Sequence, residues 1–284
     1  MTRRVRMALS GAAAGLVLLL LTWFLTHHAR LIERADASIL SGFIQLNRPG
    51  LNQLTNFVAG LCDPNRYVFL AAVPVLIALG RRRPRVAALI ALIIVGANET
   101  TQLLKPALAG PHIYLRGGPT TAASWPSGHA TAAMSLALCM VMAAPARLRP
   151  AVGAAMAAFA VAVSYSFLEL GWHYPSDVLG GFLVAATWTL AGVAGLSTYE
   201  ARRSRDPVHS DRIRAGQPSL LDVLRPVAGV LAVAVVGLAL IALARPHAVI
   251  AYTSAHKPFV LGAGAIGLTG MMLASGLTLM LRRG

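Results

Sequence analysis

Long apolar runs separated by short clusters of arginine, proline and glycine set the pattern of the chain. The first run, Ala8 to Thr26, follows Arg3, Arg4 and Arg6 and has the outline of either a secretory signal or a membrane helix. Cleavage after Ala29 would put His27 where a small residue is wanted, so the run is read as a retained helix. Between Arg30 and Cys62 the pattern changes. Leu40, Phe43, Ile44, Leu51, Leu54 and Val58 recur at spacings of three, four and seven, interrupted by Pro49 and Gly50. That spacing predicts short amphipathic helices at the membrane interface, over about residues 39–60. Asp63 as an N-cap and Pro64 in the first helical position start a second span that ends at Gly80, before four arginines. Further spans are expected over Val86 to Leu104, Gly128 to Ala144, Ala151 to Leu170 and Ser176 to about Leu196, most of them ended by proline or glycine. After a polar segment, Leu224 to Ala244 and Pro258 to Leu281 complete eight spans. The expectation is an all-α polytopic membrane bundle: a six-helix core over residues 1–197, a cytoplasmic basic linker over 198–221, and two more transmembrane helices over 222–284.

Composition strengthens this reading. Only 12% of residues are charged, about half the share in an average soluble domain, so much of the surface faces something other than water. A net charge of +15 would point to nucleic acid if the cations formed one patch. They do not. Under the eight-span topology, alternate connections hold 17 cations on one side and eight on the other, an asymmetry that places both termini in the cytoplasm. The expected location is the inner cell membrane. The 105–127 loop, the 171–175 turn and the amphipathic segment then lie outside, and nucleic acid is not expected as a partner. Cys62 and Cys139 are read as small buried hydrophobes with no disulfide.

The outer connections carry the unusual residues. Pro126-Ser127-Gly128-His129 opens a helix, and such a turn suits an anion: Ser127 offers a hydroxyl, Gly128 allows close approach to the backbone, and free N–H groups with the positive end of the helix dipole favour phosphate. An ordinary capped helix start would have the same sequence. A second cluster, Gly171-Trp172-His173-Tyr174-Pro175-Ser176-Asp177, shifts the balance. With a helix starting near Pro175, Asp177 accepts the Nδ1–H of His173 and leaves Nε2 as a nucleophile or base. A metal pair is the competing reading, but no third ligand stands at a recognised spacing, so neither metal nor cofactor is expected. Glu99 and Glu169 are carboxylates within apolar spans, where a functional role is the default, but both sit within a turn or two of the outer surface, where a structural hydrogen-bond role fits equally well; Glu169 is a candidate partner for Arg116 or Lys105.

Together, Pro126-Ser127-Gly128-His129 and Gly171-Trp172-His173-Tyr174-Pro175-Ser176-Asp177-Val178-Leu179-Gly180-Gly181 resemble the second and third signatures of the type 2 phosphatidic acid phosphatases, the lipid phosphate phosphatase and vanadium haloperoxidase superfamily. The resemblance covers about Ile39 to Leu196. It implies that His173 attacks phosphorus to form a phosphohistidine, that Asp177 orients His173, and that His129 protonates the leaving oxygen. It also implies that Lys105, which matches the lysine opening the first signature, binds phosphate together with Ser127 and Gly128.

The chain departs from the family at two cations. His112 and Ile113 stand where the first signature has arginine and proline, and Ser166 and Phe167 stand where the third has serine and arginine. Arginine forks around phosphate oxygens are strong and geometry-specific, so Arg116 and His112 become candidates to supply the missing charge. The implied activity is metal-independent hydrolysis of a lipid phosphate or diphosphate at the outer leaflet, with membrane lipids as surroundings and no oligomeric state implied. Phosphotransfer to an acceptor in a pocket lined by Trp125, Trp172 and Tyr174, and a non-catalytic lipid-binding scaffold, are the alternatives.

Overall fold

The computed structural model describes residues 2–110, 122–203 and 219–282. Among them there are eleven α-helices and no strand: α1 (Arg3–His28), α2 (Arg30–Leu46), α3 (Asn52–Ala59), α4 (Pro64–Gly80), α5 (Pro84–Ala107), α6 (Gly128–Ala143), α7 (Arg149–Glu169), α8 (Pro175–Arg203), α9 (Leu220–Ala244), α10 (Pro246–Ala255) and α11 (Lys257–Arg282). Proline opens α4, α5, α7, α8 and α10 at one of their first two positions, where its missing N–H costs nothing and its fixed φ suits the helix.

The protein is a polytopic membrane helical bundle. Six of its helices, α1, α5, α7, α8, α9 and α11, are long and apolar enough to cross a bilayer. The helical pair α3 and α4, bent by 59° across Asp63, makes a seventh if it is taken as one broken span, and α6 is apolar but shorter. The eight runs expected from the sequence are therefore all helical, with six long enough on their own and a seventh only together with α3. The structure adds α10, a short helix in the connection between the last two spans, where no element is expected from the pattern.

α6 is the central helix. All of its residues except Gly128, His129 and Met140 are buried, as befits a helix that is apolar all round. It packs against α5, α7 and α8, while α1 lies along α8 and α11 against α7. At the C-terminal end of α6, the Nη1 of Arg83 donates to the carbonyl of Met142 at 3.3 Å and the Nε of Arg149 to that of Ala144 at 3.3 Å. Cations placed there satisfy carbonyls that have no partner within the helix and complement the dipole. Cys62 and Cys139 are both buried and free.

Candidate active site

The opposite end of α6 starts with Ser127. Its side-chain oxygen accepts the Ala130 N–H at 3.3 Å, and its own N–H donates to the Asp177 carbonyl at 3.0 Å. Ser127 is fully buried and its hydroxyl oxygen serves as the N-cap, the ordinary helix-start role that its sequence also allows. The amides of Gly128 and His129, in the first turn, are the N–H groups with no intrahelical acceptor. Lys105 stands beside them on α5. A Cβ added to Gly128 would lie 3.8 Å from the Lys105 Nζ and 3.4 Å from the Gln102 Nε2. Gln102, one turn before Lys105 and on the same face of α5, escapes a motif search because it precedes the signature.

His173 sits in the tight connection between α7 and α8. The chain turns at Gly171, whose φ of 72° favours glycine, and the Trp172 N–H returns to the Phe167 carbonyl at 2.9 Å. Asp177, in the first turn of α8, is completely buried. Its Oδ2 lies 3.3 Å from the His173 Nδ1 and accepts the Tyr174 N–H at 2.9 Å. A carboxylate can only accept, so the proton of the imidazole is drawn to Nδ1 and the lone pair is left on Nε2. The His173 ring is 6.3 Å from that of His129, centroid to centroid.

Phe167 occupies the signature arginine position as a fully buried ring, 5.2 Å from the His173 ring and 5.9 Å from the His129 ring. Trp172 lies 5.7 Å from His129 on another side. The two histidines thus stand against an aromatic wall where the family has a guanidinium.

Gly180 and Gly181 bring α8 directly beneath the Pro-Ser-Gly-His turn. A Cβ on Gly180 would come within 2.9 Å of the Trp125 indole, and one on Gly181 within 2.7 Å of the Ser127 carbonyl oxygen and 2.8 Å of the Thr131 nitrogen. Because the obstacles at Gly181 are backbone atoms, the turn itself must shift. Gly181→Ala is therefore expected to cost about 1–3 kcal/mol of stability and about 10²-fold in rate through displacement of His129. Thermal unfolding and turnover of the purified variant measure both.

Two carboxylates of the site escape the sequence reading. Asp63 stands at the N-cap position of α4 but makes no side-chain capping bond. Its Oδ1 lies instead 3.0 Å from the Nε2 of His129. Asp36, on α2, accepts both the N–H of Ser176 at 3.0 Å and its hydroxyl at 2.6 Å, which fastens the interfacial helix to the turn carrying His173 and Asp177. Burial pushes the Asp36 carboxyl up to about 7, against the pull of the Ser176 hydrogen bonds, and the nearby Asp177 adds to the rise. Its folded value lies above the unfolded one, so the stability it contributes is full below about pH 4 and is lost as pH rises through 7. Asp36→Asn is expected to flatten the dependence of thermal stability on pH between 4 and 7, as melting curves across that range will show.

The remaining candidates separate. His112 and Arg116 lie outside the described residues. Glu99 is exposed on α5. Glu169, whose Oε1 is buried without a hydrogen bond, forms no ion pair with Lys105. Among the described residues no three His, Cys, Asp or Glu side chains are grouped as a metal site requires.

A paired histidine on the α7–α8 turn, a second histidine on the first turn of α6, and a lysine on α5 come from one continuous stretch, and that stretch is matched by a known family: residues 84–200 match the PAP2 superfamily. This segment is similar to the PAP2 superfamily. The fold is similar to that of the crystal structure of the first transmembrane PAP2 type phosphatidylglycerolphosphate phosphatase from Bacillus subtilis, with a TM-score of 0.56, 19% sequence identity, and coverage of 69% of this chain and 99% of that one. No curated protein matches. Within the PAP2 segment lie Lys105, Ser127, Gly128, His129, His173 and Asp177; Asp36 and Asp63 lie before it.

Proposed function

We propose that this protein is a membrane lipid phosphate or diphosphate phosphatase that works at the outer leaflet through a phosphohistidine. The observation that carries the proposal is the facing pair of histidines, with the Nδ1 of His173 held by Asp177 and its ring 6.3 Å from that of His129, beside the α6 N-terminus and Lys105. The Nε2 of His173 attacks phosphorus as the bond to the lipid oxygen breaks, and His129 gives that oxygen a proton. Water, losing a proton to His129, then attacks phosphorus and breaks the N–P bond, releasing phosphate and restoring His173. Lys105 and the first amides of α6 hold the charge on the phosphoryl oxygens. The arginine excess on one side of the eight-span topology supports an outer position for this end of α6.

Among lipid phosphates, phosphatidylglycerol phosphate is suggested by the structural neighbour, itself a phosphatidylglycerolphosphate phosphatase, with phosphatidic acid and isoprenyl diphosphate alongside. Phosphate release by the purified protein from these three, with EDTA present, tests the proposal; no release from any of them overturns it, and a strict magnesium requirement overturns the metal-independent route. The aromatic wall of Phe167 and Trp172 favours a second reading, transfer to an alcohol acceptor in place of water, which radiolabel transfer from the lipid phosphate to an acceptor would reveal.

A further inference from the structure

The α3–α4 bend carries a carboxylate into the site from outside the segment that defines the family. Asp63, at that bend, is half exposed, and the His129 side chain is 23% exposed. The distance of 3.0 Å between Oδ1 and Nε2 is that of a good charge-assisted hydrogen bond. Gly60 gives the pair its room: a Cβ there would lie 3.1 Å from the Asp63 Oδ2 and 2.7 Å from the Arg66 Nη1. The Asp63 carboxylate and the Arg66 guanidinium thus both border the space above Gly60.

We propose that Asp63 is a positioning residue for His129, resting on the phosphatase reading above: it fixes the ring through Nε2–H and favours its protonated form when a lipid oxygen must be expelled. With Nε2–H given to Asp63, the proton that moves is the one on Nδ1. It passes to the lipid oxygen as the P–O bond breaks, His129 becomes neutral, and its Nε2–H remains on Asp63. The arrangement mirrors that of His173 with the nitrogens exchanged, so each histidine has one nitrogen on a carboxylate and one available for reaction. The titratable and charged groups around His129 give the carboxylate its importance. From α5 comes Lys105, from the α7–α8 turn His173, and from α4 Asp63 itself with Arg66 also bordering Gly60. Asp177 is engaged by His173 and the Tyr174 amide. Remove Asp63, and the groups facing His129 are cationic or can become so. An opposite charge within hydrogen-bond reach favours the imidazolium, and like charges disfavour it.

The loss of the signature arginine gives this partner a reason. Phe167 lies against both histidines, and an aromatic neighbour disfavours a charged imidazole by desolvation. A carboxylate brought in from α4 offsets that effect on the histidine that has to carry a proton.

First-turnover release separates positioning from a structural role, because it excludes hydrolysis of the phosphohistidine. The probes are phosphatidic acid in detergent micelles, with an alkoxide leaving group that needs a proton, and p-nitrophenyl phosphate, with one that does not. In Asp63→Asn the first-turnover rate with phosphatidic acid is expected to fall about 10²-fold, and the alkaline limb of its pH profile to move to lower pH. With p-nitrophenyl phosphate the change should stay within threefold, and Asp63→Glu should recover part of the loss. An equal loss on both probes, or an unmoved alkaline limb, overturns the proposal while leaving the phosphatase reading intact. If the wild-type protein releases product from neither probe, the phosphatase reading fails and this one with it.

Discussion

His173→Ala is expected to abolish phosphate release, by about 10⁴-fold or more, and with it any acid-labile phosphoprotein. On the phosphohistidine proposal, removing the nucleophile leaves only the electrostatic part of catalysis, and losses of this order follow when one member of a unit that acts together is deleted. Among the described residues near the site, none takes the place of Nε2. The nearest imidazole, His129, is turned to Asp63, and the hydroxyls of Ser127 and Ser176 are both buried and engaged. The truncation also leaves the buried Asp177 with the Tyr174 N–H as its remaining hydrogen-bond partner, so the thermal stability of the variant is measured beside its activity. Incubation with ³²P-labelled lipid phosphate, alkaline gel separation and acid treatment give the decisive readout. Full activity, or an undiminished acid-labile band, in a folded His173→Ala protein rules out this nucleophile.

His129→Ala behaves differently. Turnover of an alkyl phosphate drops about 10²- to 10⁴-fold, the range for loss of a general acid and base. With a good leaving group the first step survives, and because hydrolysis of the N–P bond also needs His129, the phosphohistidine accumulates where the wild type shows little. A quench series with p-nitrophenyl phosphate detects this as a stoichiometric burst of nitrophenol followed by a slow phase. A variant that loses the burst together with turnover assigns His129 to binding rather than to proton transfer. The partner left behind, Asp63, is half exposed, so the substitution leaves no buried unpaired charge and its effect on folding is small.

The parts of this architecture that sequence reveals are those with local causes. Proline and glycine punctuate the spans, and the helix starts at Pro64, Gly128 and Pro175 fall at or within one residue of where capping chemistry puts them. The four-residue spacing of His173 and Asp177 becomes a contact as soon as a helix begins between them. Asp63 shows the opposite case. Its position before Pro64 gives it every local mark of a cap, and only a bend of 59° between α3 and α4 turns its carboxylate to a histidine 66 positions away. Asp36 is hidden for a similar reason: on an amphipathic helix an acid reads as part of the solvated face, while its partner Ser176 is 140 positions on. Ten residues at α10 lie between two far stronger apolar runs, and short elements of that kind carry too little periodicity to be separated from a loop.

The length of α6 sets the level at which a substrate must present its phosphorus. Sixteen residues rise about 24 Å, whereas the hydrocarbon layer is about 30 Å thick. Arg83 and Arg149 hold the last carbonyls of this helix; with that end at one polar boundary and the helix upright, the histidine end stops about 6 Å short of the opposite boundary. On the phosphatase proposal, a phosphorylated headgroup has to sink below its neighbours to reach His173. Hydrophobic thickness thereby enters the energetics of substrate capture: shorter acyl chains lower the surrounding surface toward the site, and longer ones raise it away.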